Sequence, residues 1–133
     1  MPSASRWRDE GGHATVTYML AIGISLMVFV SMVNVLLFVY ARGVIRAAVD
    51  EGVRAGSFAD AGVVECEARA GDALSDLLGG SLGDGVSVSC ADSGTEMSAT
   101  ADVTLVSPIP GFAAWSFVLE ARAVKEPDLV VTP

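Results

Sequence analysis

The stretch that decides the fold is "ATVTYMLAIGISLMVFVSMVNVLLFVYA", residues 14–41, which contains no charged side chain. About 20 apolar residues in a helix cross a hydrocarbon core of roughly 30 Å, so this run of 28 residues crosses with length to spare. The apolar region of a secretory signal is shorter, at about 7–15 residues. The run therefore predicts a single transmembrane helix at residues 13–41, preceded by a cytoplasmic leader at residues 1–12.

A conventional cleaved signal is the weaker alternative for the same stretch. Residues 39–41, "VYA", have the small-residue spacing that a signal peptidase accepts. Cleavage after Ala41 would release a soluble, secreted domain.

The two cysteines, Cys66 and Cys90, indicate the orientation of the helix. Arginines flank the apolar run on both sides, so their count does not decide it. Both cysteines follow the run, and an oxidising compartment would let them form a disulfide. We therefore expect the N-terminus in the cytoplasm and the C-terminal domain outside it. The bridge would close a loop of about 24 residues and contribute roughly 3 kcal/mol; two buried free thiols are the alternative.

The charge distribution limits the function. The chain has 133 residues and a net charge of −8, and from Arg42 onward it has 14 acidic and 6 basic residues. Such a domain repels nucleic acid. The one histidine, His13, lies beside the leader, so no Ser-His or Cys-His pair is available beyond the membrane. Two cysteines with one distant histidine also make no metal site. We expect no enzyme, no cofactor, no metal ion and no nucleic-acid partner.

Helical periodicity continues beyond the apolar run. No proline occurs from Thr15 to about Ala59, which predicts a single helix of about 65–70 Å. One face beyond the membrane is apolar, comprising Val44, Ile45, Ala48, Val49, Gly52 and Val53. We assign residues 42–59 to an extracytoplasmic stalk. Gly52 and Gly56 have GxxxG spacing, but they lie outside the membrane, and we give the motif no role there.

Residues 60–126 form the predicted extracytoplasmic domain, and residues 127–133 a tail. A helical pattern at residues 63–78 ends at two glycines, and its apolar face comprises Cys66, Ala70, Ala73, Leu74, Leu77 and Leu78. Three alternating segments follow at residues 85–90, 96–106 and 114–126. The first puts Val86, Val88 and Cys90 on one side, and the second puts Met97, Ala99, Ala101, Val103 and Leu105 on one side. The predicted fold class is α+β. It has a long N-terminal transmembrane-plus-stalk helix, a second short helix and a small three-stranded antiparallel sheet.

One face of the membrane helix carries small and polar residues, namely Gly23, Met27, Ser31 and Asn34. They fall within about 80° of one another on a helical wheel. Small and polar residues let membrane helices approach and form hydrogen bonds, so this face is a candidate for helix packing. Incidental tolerance of single weakly polar residues is the alternative.

A charged leader, a glycine and an apolar helix that runs on into a longer helix are typical of type IV pilin-like proteins. More specifically, "GGHATVTYMLAIGISLMVFVSMVNVLLFVYARGVIRAAVDEGVRAGS", residues 11–57, resembles the N-terminal segment of TadE-like pseudopilins of tight-adherence (Flp-type) pilus systems. The helix-then-strands layout and the closing "EARAVKEP" are similar to members of that family as well.

The resemblance implies that a prepilin peptidase cleaves between Gly12 and His13. Thr17 and Tyr18 would then be the fifth and sixth mature residues. The family usually has glutamate and an aromatic there, so Tyr18 conforms and Thr17 departs. A glutamate would neutralise the terminal amine of a neighbouring subunit inside an apolar bundle, whereas Thr17 offers only a neutral hydrogen bond.

These features together predict a minor pseudopilin or a membrane-anchored assembly component of a tight-adherence type IV-like pilus or secretion system. The resemblance implies three partners. The chain crosses the membrane once, contacts other pilin-like subunits through the N-terminal helix, and is a substrate of the prepilin peptidase. The expected location is the cytoplasmic membrane, with incorporation into a surface pilus as a further expectation. The alternative is a single-pass, stalked envelope sensor or binding protein that does not polymerise.

Overall fold

The structure, a computed structural model, describes residues 9–107 and 109–127, with the backbone alone described for residues 9–13 and Ser81. Its elements are α1 (Asp9–Gly56), α2 (Val63–Leu78), a short 3₁₀ turn (Gly80–Leu82), β1 (Val86–Asp92), β2 (Glu96–Leu105) and β3 (Trp115–Val124). The predicted α+β class is confirmed. It comprises a long apolar N-terminal helix, a second short helix and a three-stranded antiparallel sheet.

The chain divides into two compact units, Met1–Leu36 and Leu37–Pro133. Within the first, the described part is the helical segment 9–36. Every side chain from Ala14 to Phe29 is exposed, although most are apolar. By length and composition, α1 is long and apolar enough to cross a membrane.

The second unit contains the sheet, in the order β1-β2-β3 with both pairs antiparallel. Its register places Cys90 opposite Ala99 and Leu105 opposite Trp115. Because strand side chains alternate between faces, one face of the central strand is wholly buried: Met97, Ala99, Ala101, Val103 and Leu105. The alternation in the sequence predicted this face.

The second part of α1, residues 37–56, lies in the core of this unit. Its apolar face is buried, with Ile45 and Val49 at 0% exposure, and it belongs to the same hydrophobic cluster as the inner face of the sheet. We predicted a stalk at residues 42–59, separate from a domain at residues 60–126. The structure differs because the apolar face of that segment contributes to the core of the domain.

The helix ends closely match the predictions. Helix α1 ends at Gly56, three residues before the predicted end, where the Ser57 hydroxyl donates to the Arg54 carbonyl (2.8 Å). The Glu126 N–H then donates to the Ser57 carbonyl (2.9 Å), which joins the chain after β3 to the end of α1. Helix α2 spans the predicted residues. Its Leu77 is 52% exposed, however, and lies outside the core.

The turn between β1 and β2 is held by Asp92. One carboxylate oxygen accepts from the Gly94 N–H (2.7 Å), and the other accepts from the Lys125 ammonium (2.6 Å). Gly94 has φ of +89°, a conformation that favours glycine. The hydrogen bond from Lys125, followed by that from Gly94, lowers the pKa of Asp92 below its ordinary value of 3.8.

Replacing this carboxylate should therefore destabilise the domain in a pH-dependent way. The lowered pKa means that the unfolded state takes up the proton at higher pH than the folded state does. The stabilisation is therefore complete above the unfolded pKa and is lost as the pH falls through the folded pKa. We expect Asp92→Asn to lower the free energy of unfolding at pH 7, and we expect the difference from wild type to shrink as the pH falls below 3.8 and through the lower pKa of the folded state.

Urea unfolding of both proteins at pH 7 and at a series of pH values below 3.8 measures this. Asp76→Asn, at an exposed position on α2, is the matched control and should change little. A loss in Asp92→Asn that stays the same across this pH series would contradict the assignment.

Candidate functional site

The proposed processing junction, Gly12–His13, lies in the first turns of α1, where only the backbone is described. Four and five residues further on, Thr17 and Tyr18 are both exposed, Tyr18 at 73%. Cleavage at the junction stays a prediction.

The four residues of the predicted packing face differ in their surroundings. Gly23 has open space where a side chain would be, and Met27 is 73% exposed. The Ser31 hydroxyl donates to the Met27 carbonyl one turn earlier (2.8 Å), while Asn34 is only 5% exposed. Gly23 and Met27 are thus accessible on α1 and Asn34 is not. Their role in contacts with another helix stays a prediction.

The predicted disulfide is present. Cys66 on α2 is bonded to Cys90 on β1, with 24 residues of sequence separation and a Cα–Cα distance of 6.3 Å. The backbone N–H of Cys90 also donates to the Glu67 carboxylate (3.2 Å). The bridge therefore fastens α2 to an edge strand at the point where the two elements lie against each other.

Two glycines of α1 bring it close to α2, which the sequence analysis missed. A Cβ at Gly52 would lie 2.8 Å from both the Ala70 Cβ and the Cys66 carbonyl oxygen. A Cβ at Gly56 would lie 2.7 Å from the Cys66 Cβ and 3.2 Å from the Met97 Cε. The signal was the GxxxG spacing itself, which lets two helix backbones approach in any setting that packs them together.

An aromatic cluster at one end of the second unit was also missed. The ring of Phe38 on α1 lies 4.3 Å from that of Trp115 and 5.5 Å from that of Phe117, measured between centroids. The Arg42 guanidinium lies 5.9 Å from the Phe117 centroid, within cation–π range. The three rings join the helix to the start of β3.

An open cleft of about 700 Å³ lies beside the end of α1. It carries charges of both signs, among them Glu51, which accepts from Arg69 at 3.3 Å. The other charged residues of its wall are Arg54, Asp60, Glu65 and Glu126. Among the residues with described side chains, no group of three or more His, Cys, Asp or Glu is placed to hold a metal ion.

The fold and these contacts define a class of protein: a disulfide-linked α+β domain that follows an apolar helix long enough to cross a membrane. No protein-family model, curated protein or solved structure matches the chain.

Proposed function

We propose that the protein is a pseudopilin-like component of a type IV-like pilus or secretion system, anchored by α1 in the cytoplasmic membrane. The observation that carries the proposal is the uninterrupted course of α1. A segment with exposed apolar side chains, residues 14–29, continues as one helix into the core of a small α+β domain. The N-terminal half would associate with lipid and with helices of other subunits, while the domain presents the outer contact surface.

The disulfide supports an extracytoplasmic place for the domain. Disulfides persist in oxidising compartments and are rare in the cytosol, and Cys66–Cys90 lies wholly in the second unit. The helix would then run from a cytoplasmic N-terminus outward. That orientation places Gly12 on the side where a prepilin peptidase acts.

Thr17 favours a minor role over that of a major filament subunit. A free terminal amine inside an apolar bundle needs a charged partner to offset its desolvation. Threonine supplies a hydroxyl instead of a carboxylate at the position where the family has glutamate. We therefore assign the chain to a minor or initiating subunit, or to an assembly component that stays in the membrane.

The intact mass of the membrane-extracted protein tests the proposal. In cells that contain the cognate peptidase, we expect a chain that begins at His13, and we expect Gly12→Leu to begin at Met1 or Pro2. Gly11→Leu, one residue away, is the matched control and should still be cleaved. A wild-type chain that begins at Met1 or Pro2 would favour the non-polymerising envelope sensor. A chain that begins at Arg42 would indicate a secreted domain, and either result contradicts processing at Gly12.

A further inference from the structure

A charge-free segment occupies one end of the acidic domain. No charged residue stands between Asp102 and Glu120, although the chain from Arg42 onward carries 14 acidic and 6 basic residues. These residues, 103–119, form the end of β2, the start of β3 and the stretch between them. We call the described residues 106–107 and 109–115 the apolar connection.

The apolar connection contacts the first α1 residues of the second unit. Its last residue, Trp115, contacts Phe38, the second residue of that unit. Phe38 belongs to the uncharged run, which ends at Ala41. The run of 28 residues is about 42 Å long as a helix, and the hydrocarbon core is about 30 Å thick. The last turns of the run therefore extend into the headgroup region when the helix spans symmetrically.

Large apolar side chains are exposed at this end. Val106 is 67% exposed, Trp115 41% and Phe112 38%. Tyr40, two residues after Phe38 on α1, is 57% exposed. Tryptophan and tyrosine are enriched at membrane–water interfaces, where an apolar ring and a polar group are both accommodated. Arg42, whose guanidinium lies over the ring of Phe117, is the first charged residue after the uncharged run.

We infer that the apolar connection lies in the interface of the same bilayer that α1 crosses, with Phe112 and Trp115 among the lipid headgroups. The inference rests on the membrane anchoring in the proposed function and adds a second contact between the domain and the lipid. The occupant of this surface is the bilayer. Continuity with the apolar run, the absence of charge over residues 103–119 and the aromatic composition all favour it. The domain would then stand directly on the membrane.

Tryptophan fluorescence in proteoliposomes tests the inference. The chain has two tryptophans, so the full-length Trp7→Phe variant leaves Trp115 as the single probe. Phosphatidylcholine vesicles with bromines near the headgroup end of the acyl chains serve as the quencher, compared with unbrominated vesicles. Because a tryptophan at headgroup level lies beside these bromines, we expect the emission of Trp115 to fall by about half.

The other end of the same strand provides the matched control. Val124 is 81% exposed and lies nine positions after Trp115 on β3, about 30 Å away along the strand. In the full-length Trp7→Phe/Trp115→Phe/Val124→Trp variant, the probe should be unaffected by bromine and readily quenched by aqueous acrylamide. Phenylalanine at position 115 retains the ring that faces Phe38.

Vesicle flotation separates the failure of this inference from that of the proposed function. If the variants do not float with the vesicles, membrane anchoring is wrong and both fall. If they float but bromine leaves Trp115 unquenched, the inference alone is overturned and the surface faces water or a protein. Equal quenching at positions 115 and 124 also overturns it, since the domain would then lie along the membrane.

Discussion

The Gly56→Val variant is expected to lose about 3 kcal/mol of unfolding free energy, the typical upper range for overpacking a core. Already the first added carbon would lie 2.7 Å from the Cys66 Cβ and 3.1 Å from the Gly62 carbonyl oxygen. Cys66 is held by its disulfide, and the contacted atom of Gly62 is a backbone oxygen. Neither can move aside without shifting α2. Urea unfolding of the full chain in detergent, with tryptophan fluorescence as the readout, measures the change in unfolding free energy.

Gly43→Ala and Gly71→Ala are the matched controls, one on each helix. A Cβ at either position meets nothing within 4 Å. Alanine is preferred to glycine in a helix interior, so both variants should gain about 0.5–1 kcal/mol. If Gly56→Val unfolds at the same urea concentration as wild type, the close approach of α1 and α2 is not what stabilises the domain.

Removal of the disulfide by Cys66→Ala/Cys90→Ala should lower the unfolding free energy by about 3 kcal/mol. In the chain-entropy model, the bridge restricts the unfolded state by closing its loop, here over a sequence separation of 24 residues. Small domains typically have about 5–15 kcal/mol in total, so this loss is a large fraction. The same unfolding experiment, repeated with and without dithiothreitol, measures it.

The reductant provides an internal control. The wild type should shift toward the double variant once the thiols are reduced, and the double variant should not respond at all. If thiol labelling shows that the wild type is fully reduced and its urea midpoint of unfolding is unchanged, the disulfide contributes nothing to stability.

Local patterns predicted the elements well. The helical spacing of Cys66, Ala70 and Leu74 placed α2 at residues 63–78, and alternation placed the three strands within two residues of their ends. The disulfide followed from the same patterns, because they put Cys66 and Cys90 on faces that turn toward the core. Periodicity is a property of neighbouring residues, so a single sequence carries it.

Tertiary packing was the part that local patterns could not supply. The apolar face around Ile45 and Val49 was identified, but nothing in the sequence shows whether such a face meets its own domain or another chain. The role of Gly52 and Gly56 depends on α2, which comes close only after folding. The contact of Phe38 with Trp115 joins residues that are far apart in the chain, so no local pattern could predict it.

The position of the disulfide also determines how the chain responds to mechanical tension. A pull applied between α1 and the end of β3 would straighten the backbone outside the bridge, while the residues between Cys66 and Cys90 would be bypassed by the sulfur–sulfur bond. An extended chain spans up to about 3.3–3.6 Å per residue, so a bypass of 24 residues removes about 80 Å from the length that force can release. In the oxidised protein, α2 and the start of the sheet would remain tethered while the flanking segments extend.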